Sequence, residues 1–346
     1  MKDQLYLVRI FALLCLFVLA ACTPVTPVAG PAVTAEPATA ATTADAPDSS
    51  NFPVTVTSCG IETTYEAPPT RAVTMNQAAT EIMLALGLEG HMVGTAYLDD
   101  EAVLPEWQAA YESVPVIADE YPSQEALFAA EPDFVFAAYR SAFGDEAAGS
   151  RTQLAELGIN SYLLVTSCEE ASLRPAKITF DILFAEIRAI GQIFGVSERA
   201  EALITEMQAD LDNIRTVVGE VEPPTIFWFD SGDDAPYTGA CCGGPAMLIE
   251  AAGAENLFAD LPGSWADVTW EEVIGRNPQV IVLADATWST AQEKIDLLNN
   301  NPAYASIEAV QEQRFVTIPF GATTYGVRNV EGALTLARGL YPDKFE

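Results

Sequence analysis

Short apolar, β-branched runs alternate with stretches of helical spacing along most of this chain, and that alternation limits its fold more than any other feature. Ala72 to Met75 precedes a helical stretch from Ala78 to Leu86, and Met92 to Tyr97 follows. Phe134 to Ala138 precedes Arg151 to Leu157, and Tyr162 to Thr166 closes the set. The pattern restarts at Thr225 to Phe229, with Ala246 to Ala252 as helix, Val280 to Leu283 as strand, Ile295 to Asn299 as helix and Phe315 to Ile318 as strand. Such alternation argues βα units and a mostly parallel sheet, and its restart predicts two α/β lobes. Between them Ile178 to Phe194 and Ser197 to Val218 read as helices. The second has Ser197 as its expected N-cap and Ala200, Leu203, Ile204, Met207, Leu211 and Ile214 as its apolar stripe. At about 22 residues it spans roughly 33 Å, a rigid strut between lobes.

Ahead of the lobes lies an export pattern. Lys2 and Arg9 flank a basic start, and Ile10 to Ala21 form an apolar run of about a dozen residues, short of the roughly 20 that a membrane span needs. The run ends in Leu19-Ala20-Ala21-Cys22, which resembles the lipobox of bacterial lipoproteins. That resemblance implies removal of residues 1–21, acylation of Cys22 and a place on the outer face of the cytoplasmic membrane. Residues 22–52 are rich in Ala, Thr and Pro, without periodicity, and read as a disordered tether reaching on the order of 30 Å. The division expected beyond it is an N-terminal lobe at 53–196, a connecting helix at 197–218 and a C-terminal lobe at 219–346.

Composition removes whole classes of function. The 346 residues carry 49 acids against 16 bases, a net charge of −33, so the Lys and Arg clusters that bind phosphate backbones are missing. One histidine, His91, cannot build a multi-histidine zinc site. It is expected to be structural or exposed. Of six cysteines, Cys15 falls in the removed segment and Cys22 in the lipobox, leaving Cys59, Cys168, Cys241 and Cys242. Exported chains meet oxidising conditions, and four cysteines allow three connectivities that the sequence leaves open. Cys59 with Cys168 is favoured because both adjoin strand-like runs; adjacent Cys241 and Cys242 are then a vicinal disulfide or two thiols.

Several segments, taken in order, resemble the substrate-binding lipoproteins of ABC importers for ferric siderophores, haem and cobalamin. Asn76-Gln77-Ala78-Ala79-Thr80-Glu81-Ile82-Met83-Leu84-Ala85-Leu86-Gly87 followed by Val93-Gly94 is similar to the family's opening segment. Pro122-Ser123-Gln124-Glu125-Ala126-Leu127 with Pro132-Asp133-Phe134-Val135 matches its next phrase, and Val268-Thr269-Trp270-Glu271-Glu272-Val273-Ile274 with Asn277-Pro278-Gln279-Val280 repeats that logic in the second lobe. The resemblance covers about residues 54 to 340. It implies two Rossmann-like lobes joined by one long helix, no catalytic role and no resident cofactor. It further implies a bound metal chelate, and partnership with a permease and ATPase complex. Glu125 and Glu271, at matching places in the two lobes, are implied to dock on permease arginines.

Open α/β sheets bind ligands in loops at the carboxyl ends of their strands. Candidate cleft residues on that rule are Asn76, Gln77, Tyr97, Tyr139 and Arg140 in the first lobe. In the second they are Trp228, Asp230, Tyr237, Cys241, Cys242, Trp265, Trp288, Tyr325 and Arg328. Aromatic faces with a few polar handles suit a bulky chelate or macrocycle, and the two arginines an anionic group. Gly239 to Pro245 is a candidate surface for close approach of ligand. Of the acidic stretches Asp230-Ser231-Gly232-Asp233-Asp234 and Asp99-Asp100-Glu101, the first lacks calcium-loop spacing, and both are expected to be solvated loops. The rival function, an exported α/β hydrolase using cleft carboxylates, is weakened by the lack of a G-x-S-x-G elbow or P-loop.

Overall fold

The computed structural model describes residues 49–99 and 103–345. The expected signal segment, Cys22 and nearly all of the tether lie outside the described residues, as do Asp100 and Glu101. The first described strands, β1 (Val54–Ser58) and β2 (Ile61–Tyr65), form an antiparallel hairpin. Its two-residue turn, Cys59-Gly60, has φ of 50° and 79°; positive values at both positions match the right-handed twist of the flanking strands.

The first lobe carries a parallel sheet of β3 (Ala72–Met75), β4 (Met92–Ala96), β5 (Val116–Ala118), β6 (Phe134–Ala137) and β7 (Asn160–Leu163), in the order β5-β4-β3-β6-β7. β3 and β6 are buried along their whole length, which is why their sequences are continuous apolar runs rather than alternating ones. The chain builds outward from β3 in both directions. A crevice therefore opens at the carboxyl end of β3, where neighbouring connections diverge to opposite faces.

The second lobe repeats the plan with β8 (Thr225–Phe229), β9 (Tyr237–Gly239), β10 (Glu255–Asn256), β11 (Trp265–Asp267), β12 (Val280–Asp285) and β13 (Phe315–Pro319). Its parallel sheet has the order β10-β8-β12-β13, with its crevice between the carboxyl ends of β8 and β12. β9 and β11 pair antiparallel as a separate ribbon that the periodicity did not announce.

The strut helix spans Ser197–Val218. Its cap differs from expectation: Val196 holds the N-cap position and Ser197 is the first helical residue, so no side chain caps this end. Ala200, Ile204 and Met207 pack into the first lobe's core, Ile214 and Val218 into the second's, and Leu211 touches both. β7 also departs from the sequence reading: it ends at Leu163, and Val165–Ser167 turns as a short 3-10 helix. Val327 and Val330, numbered with the second lobe, pack into the core of the first.

Candidate functional site

Two contacts show that the strand carboxyl ends of the two lobes face a common boundary. Arg328, which follows β13, forks onto Glu81 in the helix that follows β3, with Nε 2.8 Å from Oε2. Both side chains are buried, and Gly326 passes so close to Ala78 that an added Cβ would lie 3.1 Å from that residue's own. On the other flank, the amide of Ile178, at the end of the segment leaving β7, donates to the carbonyl of Cys242 at 2.9 Å.

In the first lobe the crevice is a hydrogen-bonded knot. Asn76, directly after β3, has φ 75° and ψ 151°, and Tyr97, directly after β4, has φ 56°. Such strain in residues with side chains costs on the order of 1–3 kcal/mol each and persists where surrounding contacts impose it. Those contacts are present. Asn76 Nδ2 donates to Tyr121 Oη at 3.0 Å and to Asp99 Oδ1 at 3.3 Å, while the Gln77 amide donates to Asp99 Oδ2 at 3.0 Å. Tyr121 also shares a hydrogen bond with Ser141 Oγ at 2.9 Å and meets Tyr97 edge-on, with ring centroids 4.6 Å apart. Tyr139 is partly buried against the core. Burial raises the Tyr139 phenol above the usual tyrosine range, and the negative field of Asp99 adds to the shift. Arg140 is exposed at the rim, its amide donating to Ser167 Oγ at 3.0 Å.

The second lobe offers aromatic walls. Tyr237 on β9 and Trp265 on β11 stack with centroids 5.2 Å apart and planes 11° from parallel. Beyond β12, Trp288 is 58% exposed and stands edge-on against Phe320, centroids 4.8 Å apart. Asp230, at the end of β8, accepts from Ser231 Oγ at 3.0 Å. Cys241 and Cys242 are joined as a vicinal disulfide ahead of the helix Gly244–Ala251.

Four expectations are corrected by these placements. Trp228 is 0% exposed within β8, because that strand is covered on both faces; it is core and not wall. Arg328 is committed to Glu81 and not displayed to a ligand; the half-buried Tyr325 packs against both lobes' cores, and burial of its hydroxyl raises its pKa above the usual tyrosine range. The glycines of Gly239 to Pro245 serve the chain's own packing: an added Cβ on Gly239 would lie 2.4 Å from Pro245, and one on Gly243 2.7 Å from the Ser264 carbonyl. Asp233 and Asp234 are exposed as expected, but Asp99 and Asp230 are half-buried and hydrogen-bonded, Asp99 accepting from Asn76 and the Gln77 amide and Asp230 from Ser231, and burial raises the pKa of each.

Cys59 and Cys168 form the expected disulfide, which ties the hairpin turn to the segment beyond β7. His91 is structural: its Nδ1 lies 2.7 Å from the Pro69 carbonyl and its ring stands edge-on to Phe194. Glu125 and Glu271 are both exposed and both hold the second position of short helices, Gln124–Ala129 and Trp270–Arg276. Sequence reasoning missed Tyr121, Ser141 and Phe320. Tyr121 lies in the loop after β5, a strand of three residues whose brevity hid the signal that the strand-end rule needs.

A cavity of about 650 Å³ lies elsewhere, beside the strut helix, where Phe180, Phe184, Leu211 and Met247 line it. No strand-end residue reaches it. The crevice is the better candidate because it combines aromatic faces with convergent polar groups at the switch points of both sheets. Among the described residues no group of three or more His, Cys, Asp or Glu side chains is placed to hold a metal ion. Nor, among them, is any helix long and apolar enough to cross a membrane.

Known proteins share this arrangement. The periplasmic binding protein family model matches residues 73–322. An ABC transporter substrate-binding lipoprotein of Bacillus subtilis is 27% identical over 300 residues, covering 85% of this chain and 88% of the relative. A vitamin B12-binding protein of Pectobacterium carotovorum is 25% identical over 221 residues, covering 63% of this chain and 72% of its own. Among solved structures, a periplasmic binding protein from Veillonella parvula is 30% identical with a TM-score of 0.74, covering 84% of this chain and 97% of that one. With two switch-point crevices facing one boundary, a single strut between them and the family model spanning both lobes, the chain belongs to the periplasmic binding protein family and is a binding component rather than an enzyme.

Proposed function

We propose that this chain, a substrate-binding component of an ABC transporter, captures a bulky metal-chelate ligand between its lobes and delivers it to the permease. Of the iron-chelate, haem and corrinoid classes, a corrinoid is favoured. The observation that carries this reading is the pair of aromatic walls, Tyr97 with Tyr121 in one lobe and Tyr237 with Trp265 in the other, each adjoining the residue at its lobe's switch point, Asn76 through Tyr121 and Asp230 through Tyr237. Flat, amphipathic rings match the faces of a macrocycle, while Asn76, Tyr121 and Ser141 supply hydrogen bonds to its polar substituents. The vitamin B12-binding relatives favour the same class.

Acylation of Cys22 would hold the protein on the outer face of the cytoplasmic membrane, and Glu125 and Glu271 would meet permease arginines. Native mass spectrometry with visible absorption on the full chain in detergent, challenged with cobalamins, haemin and ferric siderophores, tests the ligand class. A coloured one-to-one complex with a cobalamin is expected; retention of haemin alone would reject the corrinoid. Reversing both glutamates to lysine is expected to abolish uptake while leaving ligand affinity within about twofold. A matching loss of affinity would remove the docking role.

A further inference from the structure

We propose that the crevice selects for positive charge, admitting cationic ligands and turning away anionic chelates. This rests on the reading of the crevice as the ligand site and adds a charge requirement that the aromatic walls do not impose. Arg328 is neutralised by Glu81 in a buried fork, and the buried Lys294 ammonium donates to the carbonyls of Ala284 and Ser289. That ammonium also sits in the field of three carboxylates, Asp230, Asp285 and Glu293. Arg140, exposed at the rim, is the remaining basic residue among the crevice candidates.

The carboxylates are arranged differently. Asp99 in one lobe and Asp230 in the other stand at the switch points, each partly withdrawn from water. Glu81, the charged neighbour of Asp99, is itself balanced by Arg328. Lys294 offsets part of the Asp230 charge while Asp285 and Glu293 share that ammonium, so the acids still outnumber the bases around the crevice. Tyr121 and Tyr139 lie near Asp99, Tyr97 stands edge-on to Tyr121, and Tyr237 adjoins Asp230. Carboxylates among aromatic faces attract a cation both by charge and through the ring quadrupoles. An anionic chelate entering the same space meets repulsion from both lobes, within a chain whose net charge is −33.

The test is equilibrium binding to the full chain at low and high salt, with aquacobalamin, a cation, against neutral cyanocobalamin. A second, isosteric pair, tetraphenylphosphonium against tetraphenylborate, probes the crevice whatever its natural ligand. The cation of each bound pair is expected to be held about tenfold or more tightly, by less at high salt. In Asp99→Asn/Asp230→Asn the preference should vanish; in Asp233→Asn/Asp234→Asn, with comparable thermal unfolding, it should persist. Equal binding of the two isosteric ions, or a preference that survives Asp99→Asn/Asp230→Asn, overturns the proposal. Failure of both cobalamins to bind, alongside a cation preference in the isosteric pair, would reject the corrinoid reading and leave charge selection standing.

Discussion

The two lobes share a plan but build their halves of the crevice by different means. In the first, two side-chain-bearing residues at strand carboxyl ends, Asn76 and Tyr97, are held at positive φ by a network of amide, phenol and carboxylate. In the second, the residues at positive φ that carry side chains, Asn277 and Gln313, precede β12 and β13 at the opposite end of the sheet, and Asn277 ends a helix there. Its crevice is formed by stacked and edge-on rings. The first lobe therefore presents a hydrogen-bonded polar constellation, whereas the second presents mainly aromatic area beside the Asp230 carboxylate. A ligand would be oriented by one lobe and covered by the other.

The largest expected effect concerns the joint between them. Replacing Arg328 by Met leaves Glu81 buried and uncompensated, and is expected to cost about 3–5 kcal/mol in urea unfolding. Adding Glu81→Gln should recover much of that loss. A cost below about 1 kcal/mol would mean that the ion pair does not hold the lobes together.

The two disulfides sharpen the contrast. Cys59–Cys168 closes a loop across 109 positions, so Cys59→Ser/Cys168→Ser is expected to cost about 2–5 kcal/mol. Cys241–Cys242 joins neighbours and closes no loop worth counting, so Cys241→Ser/Cys242→Ser should change denaturation midpoints little. Similar losses from the two double variants would show that the vicinal pair supports the second lobe by contacts other than chain closure.

Glu186, in the helix Phe180–Ile193, is raised by burial from the ordinary value of 4.5 to about 7, opposed by hydrogen bonds from the Tyr162 hydroxyl and the Val165 amide. Its folded value lies above its unfolded one, so the stabilisation it brings is complete below pH 4.5 and is lost as pH rises through 7. The contribution is on the order of 3 kcal/mol. Glu186→Gln should flatten that part of the stability profile; an unchanged profile would place the titration elsewhere.

The smallest effect tests the strain. At Asn76 a glycine should be tolerated better than an alanine by about 1–2 kcal/mol, because alanine at positive φ keeps the strain and loses the hydrogen bonds. At Asp230, its counterpart after β8, the order should reverse. Thermal unfolding of the four single variants decides both orders.

The α/β plan and the limits of the strut at Ser197 and Val218 were legible in the chain's local patterning. Hydrophobic periodicity is local, and a parallel strand covered on both faces writes itself as an unbroken apolar run. That same lack of alternation left the sidedness of individual residues undecided. Trp228 reads as well for a cleft as for a core, and only the packing of helices over both faces of β8 made it core. Arg328 reads as a ligand contact until Glu81, 247 positions away, is brought against it. Asp99 reads as a surface acid until Asn76 and Gln77, where β3 turns into its helix, fold over it. In each case the deciding partner is distant in sequence, and the burial that converts a polar side chain into a structural or binding group exists only once the layers have packed.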